Sequence, residues 1–312
     1  MAKRLQNAIS ESKLTFPVSV VFAIGIWMLC GAFRQGWWIQ MGCFALSVGL
    51  ITDLANRFSL LRSNTHMVGV VYLFFSCCAC LQFSSVGGEL LSACVPLSYL
   101  FLFLCQEGKY VTGLVYYAFL AFGVASIGVV HILYFLPLIW LFMRTNLSQL
   151  TWRTWMVSMM GLLTPYWFAF CWYFIHKDLS PFVDHFRVLG VFQSINYDVI
   201  PAHSQFTIAL ILALMVICLV HYMRKNRYDS FRIRLLFEIF IWMDLAAVVF
   251  LFLQPQHYDL LLRLLFINVA PLVAHFIVLT STKATNVMFI LITFVILVLT
   301  AYNILWTQSL LF

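Results

Sequence analysis

Charge is scarce in this chain. Its 312 residues include 18 Lys and Arg and 11 Asp and Glu, 9% in all, against 63% hydrophobic residues. So little polar surface cannot cover the core of a water-soluble domain of this size, which excludes that class. There is also no soluble appendage, no low-complexity tract and no internal repeat strong enough to suggest an inverted-repeat transporter core. Metal-ligand spacing is missing as well. Cys77-Cys78-Ala79-Cys80 contains a C-x-x-C, but no second pair or nearby histidine pair completes a set. All nine cysteines fall within apolar runs and read as small buried side chains. No metal or cofactor is expected.

What is present is an alternation of apolar runs and short polar clusters. Eleven runs approach the length of about 20 residues that a helix needs to cross the hydrocarbon layer. They are 16–33, 37–52, 66–83, 90–105, 111–125, 128–143, 156–175, 207–223, 235–253, 260–279 and 286–306. The predicted fold is therefore all-α, a polytopic transmembrane bundle of about eleven spanning helices. The fifth and sixth runs, separated by only Ser126 and Ile127, read as two full spans or as one broken, re-entrant pair. The first fifteen residues, with Glu11, are too polar for the start of a signal peptide, so 16–33 reads as a retained first helix.

Positive charge chooses between the two. With the N-terminus in the cytoplasm and eleven crossings, fourteen Lys and Arg fall inside: Lys3, Arg4, Lys13, Arg57, Arg62, Lys109, Arg144, Arg153, Arg224, Lys225, Arg227, Arg232, Arg234 and Lys283. Four fall outside: Arg34, Lys177, Arg187 and Arg263. Merging the fifth and sixth runs would send the Arg224–Arg234 cluster outside, against the positive-inside rule. Eleven spans with the C-terminus outside is the reading that satisfies it. The net charge of +7 restates this bias and implies no nucleic-acid partner. The cluster itself reads as an orientation signal in contact with anionic lipid heads.

The segment 176–205 is the one long loop, and it faces outside on this topology. Phe182, Phe186 and Leu189 lie at helical spacing opposite Asp184 and Arg187, which predicts a short helix in the membrane interface. Pro181 and Pro201 bracket it. With the turn 254–259, this loop gives an outward face carrying Asp184, His185, Asp198, His257 and Asp259 as candidate acid–base residues and Arg187 and Arg263 as candidate phosphate ligands.

Ionisable groups at bilayer depth are costly and each marks a candidate site. Glu238 and Asp244 lie on the ninth run, Arg263, Asn268 and His275 on the tenth, and the short turn makes the two an antiparallel hairpin. Counting from the turn puts Glu238 level with His275 and Asp244 level with Asn268, so these are expected partners, with Arg263 reaching toward Asp244 or out to the surface. The set Arg263, Asp244, Asn268, Glu238 and His275 reads either as a polar path or as interhelical contacts holding the hairpin together. His66, His131 and His221 are isolated and read as structural.

The stretch G-V-A-S-I-G-V-V-H-I-L-Y-F-L-P-L-I-W at 123–140, with L-T-W-R-T-W at 150–155 and G-L-L-T-P-Y at 161–166, resembles an uncharacterised family of about eleven-helix proteins from Gram-negative envelopes. The resemblance covers about a third of the chain and implies the bacterial inner (plasma) membrane. The carotene-cleaving monooxygenase activity sometimes attached to that family finds no support, because no four histidines are placed to hold one iron. A second, architectural resemblance is to glycosyltransferases that take sugars from polyprenyl-phosphate carriers. Their acidic residue in the first outside loop is absent here: the loop is Arg34-Gln35-Gly36, and Asp53 falls on the cytoplasmic side.

Three functions fit these features. One is action on a lipid-linked saccharide in envelope biogenesis, at the outward face. Another is a transporter or flippase with a path past Asp244, Asn268 and Arg263. The last is a non-catalytic subunit of a membrane assembly, bound to lipids and to a protein partner.

Overall fold

The computed structural model describes residues 4–62 and 65–311, the last four as backbone only; Lys3 of the cationic set lies outside them. Fourteen α-helices follow one another: α1 (Leu5–Glu11), α2 (Thr15–Leu29), α3 (Ala32–Gln35), α4 (Trp38–Arg57), α5 (Met67–Cys78), α6 (Val86–Leu104), α7 (Val111–Gly128), α8 (Leu136–Thr145), α9 (Trp152–Ile175), α10 (Ser180–Arg187), α11 (Ala202–Lys225), α12 (Phe231–Leu253), α13 (Tyr258–Val278) and α14 (Lys283–Leu311). No strand occurs among the described residues.

Seven of these helices, α4, α6, α7, α11, α12, α13 and α14, are long and apolar enough to cross a membrane. The pair α1 and α2, bent by 89°, makes an eighth if it counts as one span. α9 has 24 residues, but Trp152, Trp155, Tyr166, Trp167, Trp172 and Tyr173 dilute its apolarity. Large apolar side chains on the outside of the bundle, among them Val18, Leu163, Phe168, Val216, Val249 and Phe294, are each more than half exposed. A continuous patch of that kind needs a hydrocarbon surrounding.

Two of the shorter predicted runs contain 3-10 turns. Cys80–Ser84 extends α5, and Val130–Phe135 precedes α8. Because a 3-10 turn rises about 2.0 Å per residue against about 1.5 Å in an α-helix, each composite reaches roughly 27–28 Å, close to the hydrocarbon thickness. Pro137 occupies the first turn of α8, where a missing N–H costs nothing.

α13 lies at the centre, with every residue from 260 to 277 buried against α12, α11, α5, α6 and α1. Around it, α6, α7 and α9 pack closely through glycine. A Cβ on Gly161 would stand 2.5 Å from the Tyr116 carbonyl oxygen, and one on Gly123 would stand 2.7 Å from that of Leu162. Small residues of this kind let membrane helices approach backbone to backbone.

Side-chain contacts sort the connections into two ends. At one, Gln6 bonds Thr280, Arg62 bonds Asp229, Arg232 bonds Gln106 and Asn146 bonds Glu238. At the other, Arg263 bonds Glu89, Gly87 abuts Gly128 and Cys80 meets Thr307. The first is called the basic end below, the second the loop end. Residues 130–146 run from the His257 ring at the loop end to Leu235 at the basic end, the same depth as α12 in the opposite direction.

Candidate functional site

At the loop end, the segment after α10 folds back onto the turn between α12 and α13. Gln254 Nε2 donates to the Gln193 carbonyl at 3.1 Å, Gln256 Nε2 to that of Ser194 at 2.7 Å, and the Tyr197 hydroxyl to that of Phe252 at 3.0 Å. Tyr134 ties the start of the segment by donating to the Leu189 carbonyl. Gln254, Gln256 and Tyr134 donate from the bundle to the segment and Tyr197 donates from the segment to the bundle, so the helices determine where this irregular stretch of backbone lies.

α10 forms where the amphipathic spacing predicts it. Phe186 rests on Tyr166 and Phe182 on Phe170 of α9, while Asp184 and Arg187 stay exposed. His185 is half-buried, and its Nε2 donates to the Ser126 carbonyl at 3.1 Å. Next to it, the rings of His131 and His257 lie 3.7 Å apart, and His185 is near enough to interact electrostatically with His131. Three histidines from the 3-10 turn before α8, from α10 and from the turn before α13 thus gather at one place. His131, which sequence reasoning left as structural, is one of them.

Asp259 stands on the same turn. Its Oδ2 is 3.5 Å from Nε of Arg263, one helical turn deeper. Arg263 is 4% exposed and does not reach Asp244 or the surface. Instead its Nη1 donates to Glu89 at 2.7 Å and to Ser92 at 3.4 Å, and its Nη2 donates to the Gln82 carbonyl. Glu89 comes from the first turn of α6, which Ser85 caps by accepting from Gly88. It had a legible signal: between Arg62 and Glu107 it is the one formally charged residue. Asp198 stays exposed, joined only through its backbone N–H to Asn196, 2.9 Å away. Of the outward set, then, the fold brings His185 and His257 together with His131 and separately pairs Asp259 with Arg263, and it leaves Asp184, Arg187 and Asp198 exposed.

The hairpin α12–α13 forms, but its expected pairs differ. Glu238 is exposed and accepts from Asn146 Nδ2 at 3.0 Å. His275 is fully buried and its Nε2 donates to Asp229, 3.1 Å away, a residue just before α12 that sequence reasoning had passed over. Asp244 and Asn268 are both fully buried, yet no hydrogen bond joins them to each other or to any other group among the described residues. The Tyr99 hydroxyl from α6 is also buried and unbonded nearby.

Five cavities bear on binding. An apolar cleft of about 480 Å³ lies between α1, α2, α5, α13 and α14 and is walled by Val18, Val70, Phe74, Ile277, Phe289 and Ile296 among others. A second, of about 200 Å³ at the basic end, is lined by Arg62, Lys225, Tyr228, His275 and Leu279. A closed space of about 10 Å³ sits among Tyr72, Gln82, Glu89 and Arg263. Two more lie on the apolar outside, beside Phe206 and Phe294 and beside Phe174 and Lys177. None of the five is lined by Asp244. Among the described residues, no three His, Cys, Asp or Glu side chains converge as a metal site.

No family model, no curated protein and no solved structure matches this chain. The chain is an all-helical, multi-pass membrane protein, and the buried Arg263 and His275 lie toward opposite ends of its central helix.

Proposed function

We propose that the chain crosses the membrane eleven times, basic end in the cytoplasm, and acts at the loop end on a lipid-linked saccharide of the bacterial envelope. The fourteen-to-four division of cations supports the orientation. The traverse of 130–146 alongside α12 supports the count. The envelope setting rests on the family resemblance of residues 123–166.

The observation that carries the reading is the docking of the long loop on the α12–α13 turn. His131, His185 and His257 gather there, and Asp259, two residues on from His257, pairs with Arg263. Transfer of a glycosyl group needs a base for the acceptor hydroxyl and a cation for the departing phosphate. In this reading His257 and Asp259 take the first role and the exposed Arg187 the second, while Arg263, bonded to Glu89 and paired with Asp259, positions Asp259.

The test is the lipid extract of cells lacking the protein. A polyprenyl-linked saccharide should accumulate, and the wild-type chain should clear it. His257→Ala, present in the membrane at equal level, should clear it about 10²–10⁴-fold more slowly, the usual contribution of acid–base catalysis. An unchanged lipid profile would sink the proposal.

A transporter is the second reading, favoured by the buried, unbonded Asp244, Asn268 and Tyr99 near mid-membrane. It requires a conformation in which water reaches Asp244. Solvent labelling of a Cys placed at Val248, one turn away, would reveal it; protection under all conditions would exclude it.

A further inference from the structure

The 200 Å³ cleft at the basic end belongs to neither reading above. It lies between the connection after α4 and the connection from α11 to α12, and its walls are Arg62, Lys225, Tyr228, His275 and Leu279. Arg62 uses Nε and Nη2 on Asp229 Oδ1, at 3.1 and 2.9 Å, and Nη1 makes no hydrogen bond among the described residues. Asp229 is fully buried at its side chain, so it fixes the guanidinium without closing the cleft. Tyr228 lies under both cations, with the Arg62 guanidinium carbon 5.6 Å and the Lys225 ammonium 5.8 Å from its ring centre.

The floor is the second, independent observation. His275 is 0% exposed, Nε2 is committed to Asp229, and buried Nδ1 has no hydrogen-bond partner. His275 Nδ1 is one of several buried polar atoms without a hydrogen-bond partner among the described residues, and it belongs to a side chain that walls this cleft. Two cations over one aromatic ring, in a cleft that the His275 side chain also walls, make a concave anion site. A carboxylate would use the guanidinium alone. A phosphate has enough oxygens to meet Arg62, Lys225 and His275 together, and a proton to exchange with the imidazole.

We propose that this cleft binds a phosphate group at the basic end, either the headgroup of an anionic lipid or a soluble phosphorylated compound. The surrounding Arg224, Arg227 and Arg234 raise the local anion concentration, and the cleft supplies the selectivity.

The test uses the full chain in detergent, with the midpoint of thermal unfolding read by tryptophan fluorescence. Inorganic phosphate is compared with chloride at equal ionic strength, and dioctanoyl phosphatidic acid with dioctanoyl phosphatidylcholine. A ligand at many times its Kd should raise the midpoint by a few degrees. A rise with inorganic phosphate assigns a soluble ligand; a rise with phosphatidic acid alone assigns a lipid head. In either case Lys225→Ala, an exposed position that leaves Asp229 paired, should lose the shift. Arg227→Ala, on the same connection but outside the cleft, should keep it. No shift with any probe, a shift that survives Lys225→Ala, or one lost equally in Arg227→Ala would overturn the proposal.

Discussion

Arg263 is surrounded by Glu89, Ser92, the Gln82 carbonyl and Asp259: both Nη atoms donate hydrogen bonds, and Nε has the Asp259 carboxylate 3.5 Å away as an ion pair without a hydrogen bond. Breaking such a pair from one side is expensive, because the remaining charge is buried and alone. Glu89→Ala should therefore cost about 3–5 kcal/mol of stability, while Glu89→Leu combined with Arg263→Leu should cost much less than the two single changes added. Unfolding midpoints of the three variants in detergent test this; additive losses would show that the pair is not coupled. Asp244 presents the opposite case. It has no hydrogen-bond partner among the described residues, so Asp244→Asn, of the same shape, should leave the midpoint unchanged or raised. A drop of more than about 2 kcal/mol would mean that an unrecognised partner holds the carboxylate.

At the scale of helices, the close approach of α7 and α9 rests on glycine rather than on interlocking large side chains. A Cβ on Gly161 would meet the Tyr116 carbonyl oxygen at 2.5 Å, and backbone on both sides leaves it nowhere to move. Gly161→Val should destabilise by roughly 1–3 kcal/mol through overpacking. It should also loosen the platform on which α10 rests, since Tyr166 of α9 contacts both Phe186 and Ser126. Faster proteolysis in the segment 188–200 would report that loosening, and unchanged cleavage would argue that the segment is held by Gln254, Gln256 and Tyr197 alone. The 3-10 turns at Cys80–Ser84 and Val130–Phe135 belong to the same scale. They lengthen two short runs to the reach of a membrane span, which a count of residues at α-helical rise does not show.

For the whole molecule, the two ends make a topological prediction. Cys substituted for Lys177 should react with a membrane-impermeant maleimide in intact cells, whereas Cys substituted for Arg227 should react only after permeabilisation. The nine native cysteines are buried or half-buried, so background labelling should be low. Labelling of both from one side would overturn the eleven-crossing reading. How much of this was legible beforehand differs between the fold and the site. Each predicted apolar run corresponds to a helix or to a helix with a 3-10 extension. α10 formed over Phe182 and Phe186 as their spacing required. The partners of the buried charges were not legible. Glu238 and His275 do sit at similar depth, but Glu238 is exposed beside Asn146 and His275 is buried against Asp229. Depth follows from counting residues; the direction a side chain points around its helix depends on which neighbours surround it.

The sequence alone determined that this is a helical membrane protein, where its apolar runs begin and end, and which connections carry positive charge. Those properties are local, set by the hydropathy and charge of consecutive residues whatever lies beside them. Only the tertiary structure decided that α13 is the central helix, that Glu89 from α6 answers Arg263, that Asp229 rather than Glu238 takes His275, and that His131 joins His185 and His257. Each is a lateral choice among helices. In a membrane, where apolar faces meet lipid and one another with similar ease, glycine contacts and buried polar pairs make that choice, and they join residues as far as 274 positions apart.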